Sequence, residues 1–200
     1  MGKIIKTEIM KILVITIILL FNLNILHSQE SEIVPLYQLG EFVPDDNSYY
    51  YFKDINGDLN KFLGTWNYQD STSDLNVTFY LKLHEEAGGD FKDKIFARFS
   101  YVENGITIYN TYNDTSIMSE LYISGCSLDS NDRAKMSIVY SEPDEFPYPK
   151  GMTPKLKIEF IPCTGMGCSP QLKWDIVWFK NDPSDIWPFK MPTDITLTRQ

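Results

Sequence analysis

Apolar and polar residues alternate along most of the chain after residue 64, most clearly over residues 75–83. Every second position there is apolar, which puts on one face Leu75, Val77, Phe79, Leu81 and Leu83. Successive side chains of a strand point to opposite faces, so this period of two predicts a β-strand with one buried side. The five apolar residues are therefore expected to face the core.

Turn residues divide the rest of the chain into further alternating segments. Asn104-Gly105 is a strong hairpin signal, because both residues tolerate positive φ. The other expected strands cover residues 64–69, 94–102, 106–112, 117–124, 135–140, 155–161, 171–179 and 194–198. One short helical turn is expected just before the first of them. About nine strands with short connections predict an all-β domain, either a barrel or a sandwich.

The chain begins with a segment that is typical of a signal peptide. Three lysines precede an apolar run over residues 12–20, and the small residue Ser28 stands before Gln29. The run is short for a membrane span, so residues 1–28 are expected to be cleaved on export, with Met10 as an alternative start. The mature chain, without a membrane span, is then periplasmic or extracellular. We expect residues 29–53 to form an extended arm and residues 54–200 a single β-barrel domain.

The chain is acidic, with a formal net charge of −9 at pH 7. Nucleic acids and anionic lipid surfaces attract cationic proteins, so this balance argues against both as partners. We prefer solubility in an extracytoplasmic space as the explanation, and an acidic recognition surface is the alternative.

The three cysteines all lie after the expected signal peptide. Cys163 and Cys168 flank a four-residue tip between two expected strands, whereas Cys126 is distant in sequence. Because exported proteins can form disulfides, we predict a Cys163–Cys168 bridge and a free, buried Cys126. Three cysteines and one mature histidine do not fit the usual four-ligand zinc clusters.

Two features resemble a metal site or a catalytic site only in part. Residues 54–60 place oxygen-bearing side chains at alternate positions, as a calcium-binding hand does, but lack its glycine and its final carboxylate. An Asn-Gly turn with Asp58 as the N-cap of a helical turn is expected instead. His84 is expected at a strand end and exposed to solvent, with no nucleophile elbow in the chain. We predict no enzyme activity, no cofactor and no metal site.

Aromatic residues are the remaining enriched feature, and most are expected in the core or in cross-strand pairs. Two proline-rich connections, residues 141–154 and 181–192, also carry aromatic side chains. Connections of this length inside a compact domain are often functional. The candidates for a ligand-binding rim and cavity are Phe146, Tyr148, Trp174, Trp178 and Trp187.

Three segments of the chain resemble an uncharacterised family of exported Bacteroidota proteins. They are SYYYFKDINGDLNKFLGTW, the hairpin ENGITIYNT and the closing MPTDITLTRQ. The family's pattern, KDxNxxLxKFxGTW followed by PxxITLT, spans about residues 49–200 of this chain. The function of that family is unknown, so the resemblance implies export and little more.

The sequence FLGTW at residues 62–66 also resembles the opening G-x-W of lipocalin-like barrels. In such barrels a helical turn precedes the first strand, and the tryptophan plugs the closed end. A basic residue on the last strand often covers that tryptophan. The resemblance implies a lipocalin-like antiparallel barrel closed by Gly64, Trp66 and Arg199, with the arginine head in water at the rim.

Binding of a small apolar ligand inside the barrel is the first functional hypothesis. The alternative is a non-enzymatic surface or protein-interaction module that uses the aromatic residues of the two connections, Phe146, Tyr148 and Trp187. The space inside the barrel separates the two hypotheses, because a barrel filled by its own side chains has no room for a ligand.

Overall fold

The computed structural model describes residues 32–45, 49–116, 120–143, 154–178 and 189–200. The expected signal peptide lies outside these ranges, as do Phe146, Tyr148 and Trp187. Within the described ranges, no helix combines the length and the apolar character needed to span a membrane.

The described chain is built almost entirely from strands. The strands are β1 (Glu32–Pro35), β2 (Tyr50–Lys53), β3 (Gly64–Gln69), β4 (Ser73–Ala87), β5 (Asp90–Glu103), β6 (Ile106–Asn110), β7 (Ile123–Leu128), β8 (Lys135–Tyr140), β9 (Lys155–Ile161), β10 (Gln171–Val177) and β11 (Ile195–Arg199). Two short 3₁₀ helices are η1 (Leu36–Gln38) and η2 (Asp58–Phe62). The second is the helical turn that the sequence predicts before the first barrel strand.

Eight strands close into an antiparallel barrel in the order β5-β4-β3-β11-β10-β9-β8-β7, and β7 returns to β5. The closing contact pairs Ile95 with Gly125 and Phe96 with Ser124. This architecture confirms the predicted all-β barrel and is consistent with a lipocalin-like one. The sheet has 11 strands rather than the predicted nine or so, because β1 and β2, which are not predicted as strands, also join it. β1, β2 and β6 lie outside the closed barrel.

A glycine on β7 lies at the closing contact. A Cβ at Gly125 would lie 3.1 Å from the side chain of Ile138 on β8, so a larger residue would require this neighbour to shift. The alternation pattern predicts this strand over residues 117–124, but β7 begins at Ile123 and ends at Leu128. Its sequence, ISGCSL, lacks a clear alternation, and pairing with β5 and β8 decides where it lies.

The described part of the extended arm expected over residues 29–53 contains two strands, β1 and β2. β1 pairs in parallel with β2, and β2 pairs in parallel with β5. Tyr50 and Phe52 share one face of β2 and are buried, whereas Tyr49 is 52 % exposed, so only part of the aromatic cluster of the arm packs inward. Parallel pairing joins segments that are distant in sequence, so no local sequence pattern predicts these two strands.

The long hairpin of β4 and β5 departs from the predicted alternation near its tip. Leu75 and Val77 face the core as predicted and are fully buried. Leu83 is 62 % exposed, contrary to the prediction. The pairing shifts register between residues 82 and 85, and His84 takes a left-handed φ of 57° there. This bulge turns the strand, so Leu83 no longer points to the core.

Candidate functional site

The end of the barrel at the start of β3 is closed by a tryptophan. The ring of Trp66 is fully buried, and its indole N–H donates to the carbonyl of Phe62 in η2 at 2.8 Å. Phe160 meets the ring edge-on, with 6.3 Å between ring centroids. Gly64, two residues before Trp66, has a φ of +105°, which glycine adopts without strain. The helical turn and the first strand therefore form one plug.

Arg199 covers the tryptophan from the last strand. The two residues are cross-strand neighbours in the β3–β11 pairing, and the guanidinium carbon lies 4.7 Å from the centroid of the Trp66 ring. One guanidinium nitrogen, Nη2, donates to the carbonyls of Lys61 at 2.8 Å and Leu63 at 2.7 Å. Arg199 is half-buried, so its head is not simply placed in water: the carbonyls at the end of η2 accept hydrogen bonds from it.

An aspartate upstream of η2, rather than Asp58, caps this helix. The N-cap position is Gly57, and Asp58 is the first helical residue. The two carboxylate oxygens of Asp54 accept the N–H groups of Asp58 and Leu59, each at 2.8 Å. Both oxygens are therefore engaged in backbone bonds. Among the described residues, no group of three or more histidine, cysteine, aspartate and glutamate residues could hold a metal ion.

A second aspartate is buried beside this end of the barrel. Asp93 accepts the hydroxyl of Tyr51 at 2.6 Å and the N–H groups of Asp54 at 2.9 Å and His84 at 3.1 Å. Burial and then the bond to Asp93 raise the pKa of Tyr51 above its ordinary value. His84 is exposed, as the sequence predicts, and its ring stacks on Phe91. Asp93 thus joins β2, the segment before η2 and the β4–β5 hairpin.

Two candidate tryptophans, Trp174 in β10 and Trp178 just after it, lie towards the opposite end of the barrel. Trp174 is fully buried, and its indole N–H donates to the carbonyl of Pro192 at 3.0 Å. Trp178 is half-buried and meets Phe189 edge-on, with 6.3 Å between ring centroids. The remaining candidates, Phe146, Tyr148 and Trp187, lie outside the described residues. The structure thus brings Trp174 and Trp178 to the segment that precedes β11.

A fully buried carboxylate holds this end of the barrel together. Glu142 is 0 % exposed, and it accepts the hydroxyls of Tyr140 at 2.6 Å and Tyr109 at 2.9 Å. It also accepts the backbone N–H of Met191 at 2.9 Å and that of Lys190, whose closest contact is 2.9 Å. Within the described part of the chain, these four donors point at one carboxylate. A buried charge is tolerated when it is hydrogen-bonded in this way.

The sequence does not single out Glu142. It stands just after β8 in a segment with the other acidic residues of the first proline-rich connection, and acidic residues in loops are usually solvated. Its donors come from residues 109, 140, 190 and 191, so only the tertiary fold brings them together. The tyrosines of β6 and β8 could have served as a weak signal, since a buried tyrosine hydroxyl needs a partner.

The barrel interior, from the end closed by Trp66 to the end beside Glu142, is filled by its own side chains. The largest are each between 0 and 2 % exposed: Trp66, Phe79, Phe99, Tyr101, Tyr140 and Trp174. A side chain that lines a water-sized void has accessible surface within that void, so these values leave no room for a ligand among them. The barrel interior, as far as the structure describes it, is a packed core.

Comparison with known families matches residues 10–200 to the model of DUF6705, described as a family of unknown function. The chain belongs to the DUF6705 family. Membership of a family of unknown function agrees with the expected resemblance, whereas the Bacteroidota origin and the sequence pattern stay predictions. No curated protein and no solved structure matches the chain.

The cysteines of this DUF6705 protein pair as predicted. Cys163 and Cys168 form a disulfide at the tip of the β9–β10 hairpin, with 5.7 Å between their Cα atoms. Cys126 is free and buried, and burial raises the pKa of its thiol to about 11. Disulfides persist in oxidising compartments, so the bridge indicates a location outside the cytoplasm. The cleaved signal peptide itself stays a prediction.

Proposed function

We propose that this DUF6705 protein is a non-enzymatic module that binds a protein partner at the barrel end beside Glu142. The packed interior is the observation that carries the proposal, since it removes the support for a ligand inside the barrel. A partner would then contact the outer surface of the barrel or the connections between its strands. Loops on a rigid scaffold commonly carry such contacts.

Glu142 ties the ends of the two proline-rich connections to each other. It lies near the start of the connection between β8 and β9, and its backbone partners Lys190 and Met191 lie near the end of the connection between β10 and β11. Fixed ends reduce the conformational entropy that a loop loses on binding. This supports a contact surface that includes Phe146, Tyr148 and Trp187.

Site-specific photo-cross-linking in the source cells tests the proposal. A photoreactive amino acid replaces Tyr148 in one variant and Trp187 in another, and a third variant carries it at Met166. Met166 is fully exposed at the tip of the β9–β10 hairpin, at the opposite end of that hairpin from Glu142, and serves as the matched control. We expect one polypeptide to be cross-linked from Tyr148 and Trp187 but not from Met166. Equal labelling from all three positions contradicts the proposal.

Replacing Glu142 with glutamine tests the anchoring role. The amide keeps the shape of the carboxylate but offers one acceptor oxygen to the four donors described above. We expect a loss of about 2–4 kcal/mol in the free energy of unfolding, measured by urea denaturation. Glu159→Gln is the control, because Glu159 makes only partly exposed ion pairs and should change stability by less than about 1 kcal/mol. Equal losses in the two variants would refute the anchoring role.

A further inference from the structure

A groove runs across the outer face of strands β7–β11, with a volume of about 610 Å³. We call it the outer groove. Its floor follows a row of cross-strand neighbours, one residue from each of the five strands. In strand order from β7 to β11 they are Leu128, Met136, Ile158, Trp174 and Ile195. These side chains point inward, so the backbone forms the floor. The volume falls in the range of sites that hold a ligand.

Two ridges of outward side chains form the walls of the outer groove. One ridge contains Ser127, Ser137, Lys157, Asp175 and Asp194. The other contains Asp129, Lys135, Glu159, Lys173 and Thr196. Five neighbouring strands about 4.8 Å apart give the groove a length of roughly 19 Å, which an extended peptide of about six residues spans.

The charges along the walls are unevenly paired. Glu159 lies between two lysines, 3.7 Å from the Nζ of Lys173 and 4.0 Å from that of Lys135. Lys157, in the opposite wall, makes no ion pair with any residue in the part of the chain that the structure describes. Towards β11 the same wall carries two carboxylates, Asp175 and Asp194. A cation without a partner therefore stands next to an acidic end.

We infer that the outer groove binds an extended peptide segment that carries an acidic residue and a basic residue two positions apart. The acidic side chain meets Lys157, and the basic side chain lies between Asp175 and Asp194. These carboxylates stand about 5 and 10 Å from Lys157, one and two strands away, and side chains two positions apart in an extended peptide are about 7 Å apart. This inference concerns the barrel wall and is independent of the proposed function.

Nuclear magnetic resonance titration of the isotope-labelled protein tests the inference. The probe is the capped peptide acetyl-Ser-Glu-Ser-Lys-Ser-Ser-amide, and the control peptide has glutamine in place of both charged residues. We expect the charged peptide to shift backbone amides of β8–β11 and to bind more weakly as salt is added. The control peptide should cause no such shifts. Equal binding of both peptides, or no shifts at about 10 mM charged peptide, would overturn the inference.

Two lysines on β9 provide a matched pair of variants. Lys157 and Lys155 are both exposed and point outward, but only Lys157 lines the outer groove. We expect Lys157→Gln to weaken binding of the charged peptide two- to fivefold, as loss of one exposed ion pair does. Lys155→Gln should leave the affinity unchanged. Both substitutions lie on the surface, and the amide spectrum checks that each variant is folded. Equal weakening by both variants would mean that the peptide binds the general charge of the face and not the groove.

Discussion

Removal of the Trp66 ring is expected to destabilise the barrel more than any other single truncation at its closed end. The ring is fully buried and hydrogen-bonded to η2, so Trp66→Ala removes a large apolar group and leaves a cavity between the helix and the sheet. Such substitutions cost about 3–5 kcal/mol. The indole N–H bond to the Phe62 carbonyl is also lost, which leaves that buried acceptor unpaired.

Arg199→Ala is expected to cost less, although it breaks more polar contacts. The guanidinium gives up its contact with the Trp66 ring, which contributes about 0.5–2 kcal/mol. Two carbonyls, those of Lys61 and Leu63, lose their donor, at about 0.5–1.5 kcal/mol each. These contributions sum to about 1.5–5 kcal/mol, and the middle of this range lies below that expected for Trp66→Ala.

Urea denaturation of the two single variants and the double variant measures the coupling between the residues. Because the guanidinium lies over the ring, the double variant should lose about 1 kcal/mol less than the sum of the two single losses. Lys155→Ala, an exposed change at the other end of the barrel, is the control partner for Trp66→Ala and should add to it without coupling. If Trp66→Ala and Arg199→Ala are additive within about 0.3 kcal/mol, the closure described above is refuted.

Three further predictions concern the cysteines and one aspartate. Replacing Cys163 and Cys168 with serine should lower the free energy of unfolding by about 2 kcal/mol in urea, because the bridge closes a loop with a sequence separation of only 5, and a much larger loss would contradict this. Since burial raises the pKa of Cys126 to about 11, iodoacetamide at neutral pH should label this thiol only after unfolding, and rapid labelling of the native protein would disprove its burial. The backbone N–H of Thr72, followed by the Tyr68 hydroxyl, lowers the pKa of Asp70 from 3.8 to about 2, so its contribution to stability is present at higher pH and is lost as the pH falls from about 4 through 2. Asp70→Asn should flatten the pH dependence of the urea midpoint in this window, and an unchanged dependence would argue against these bonds.

The strands that the sequence predicts well are those with strict alternation between turn residues. β8 and β9 begin and end at the predicted residues, 135–140 and 155–161, because their apolar positions face the core and their lysines face out. β7 is shifted because its small residues carry little alternation. β1 and β2 are not predicted as strands, because their parallel pairing depends on β5, which lies about 40 residues away along the chain.

The two ends of the barrel differ in how far the sequence reveals them. The G-x-W resemblance leads to Trp66 and Arg199, and the structure places them in contact. The carbonyl partners of the arginine depend on the exact path of η2, which no motif encodes. The buried role of Glu142 cannot be predicted from the sequence for a related reason. A buried acid is recognisable only from its donors, and these come from three separate segments of the chain.

Native mass spectrometry of the purified exported protein tests the packed interior most directly. A barrel filled by Trp66, Tyr101, Trp174 and their neighbours has no room for an apolar molecule among these side chains. The account predicts a single mass equal to that of the processed polypeptide with one disulfide, and no adduct that is lost on collisional activation. A co-purified apolar molecule released on activation would contradict the packed interior and restore the hypothesis of a ligand-binding barrel.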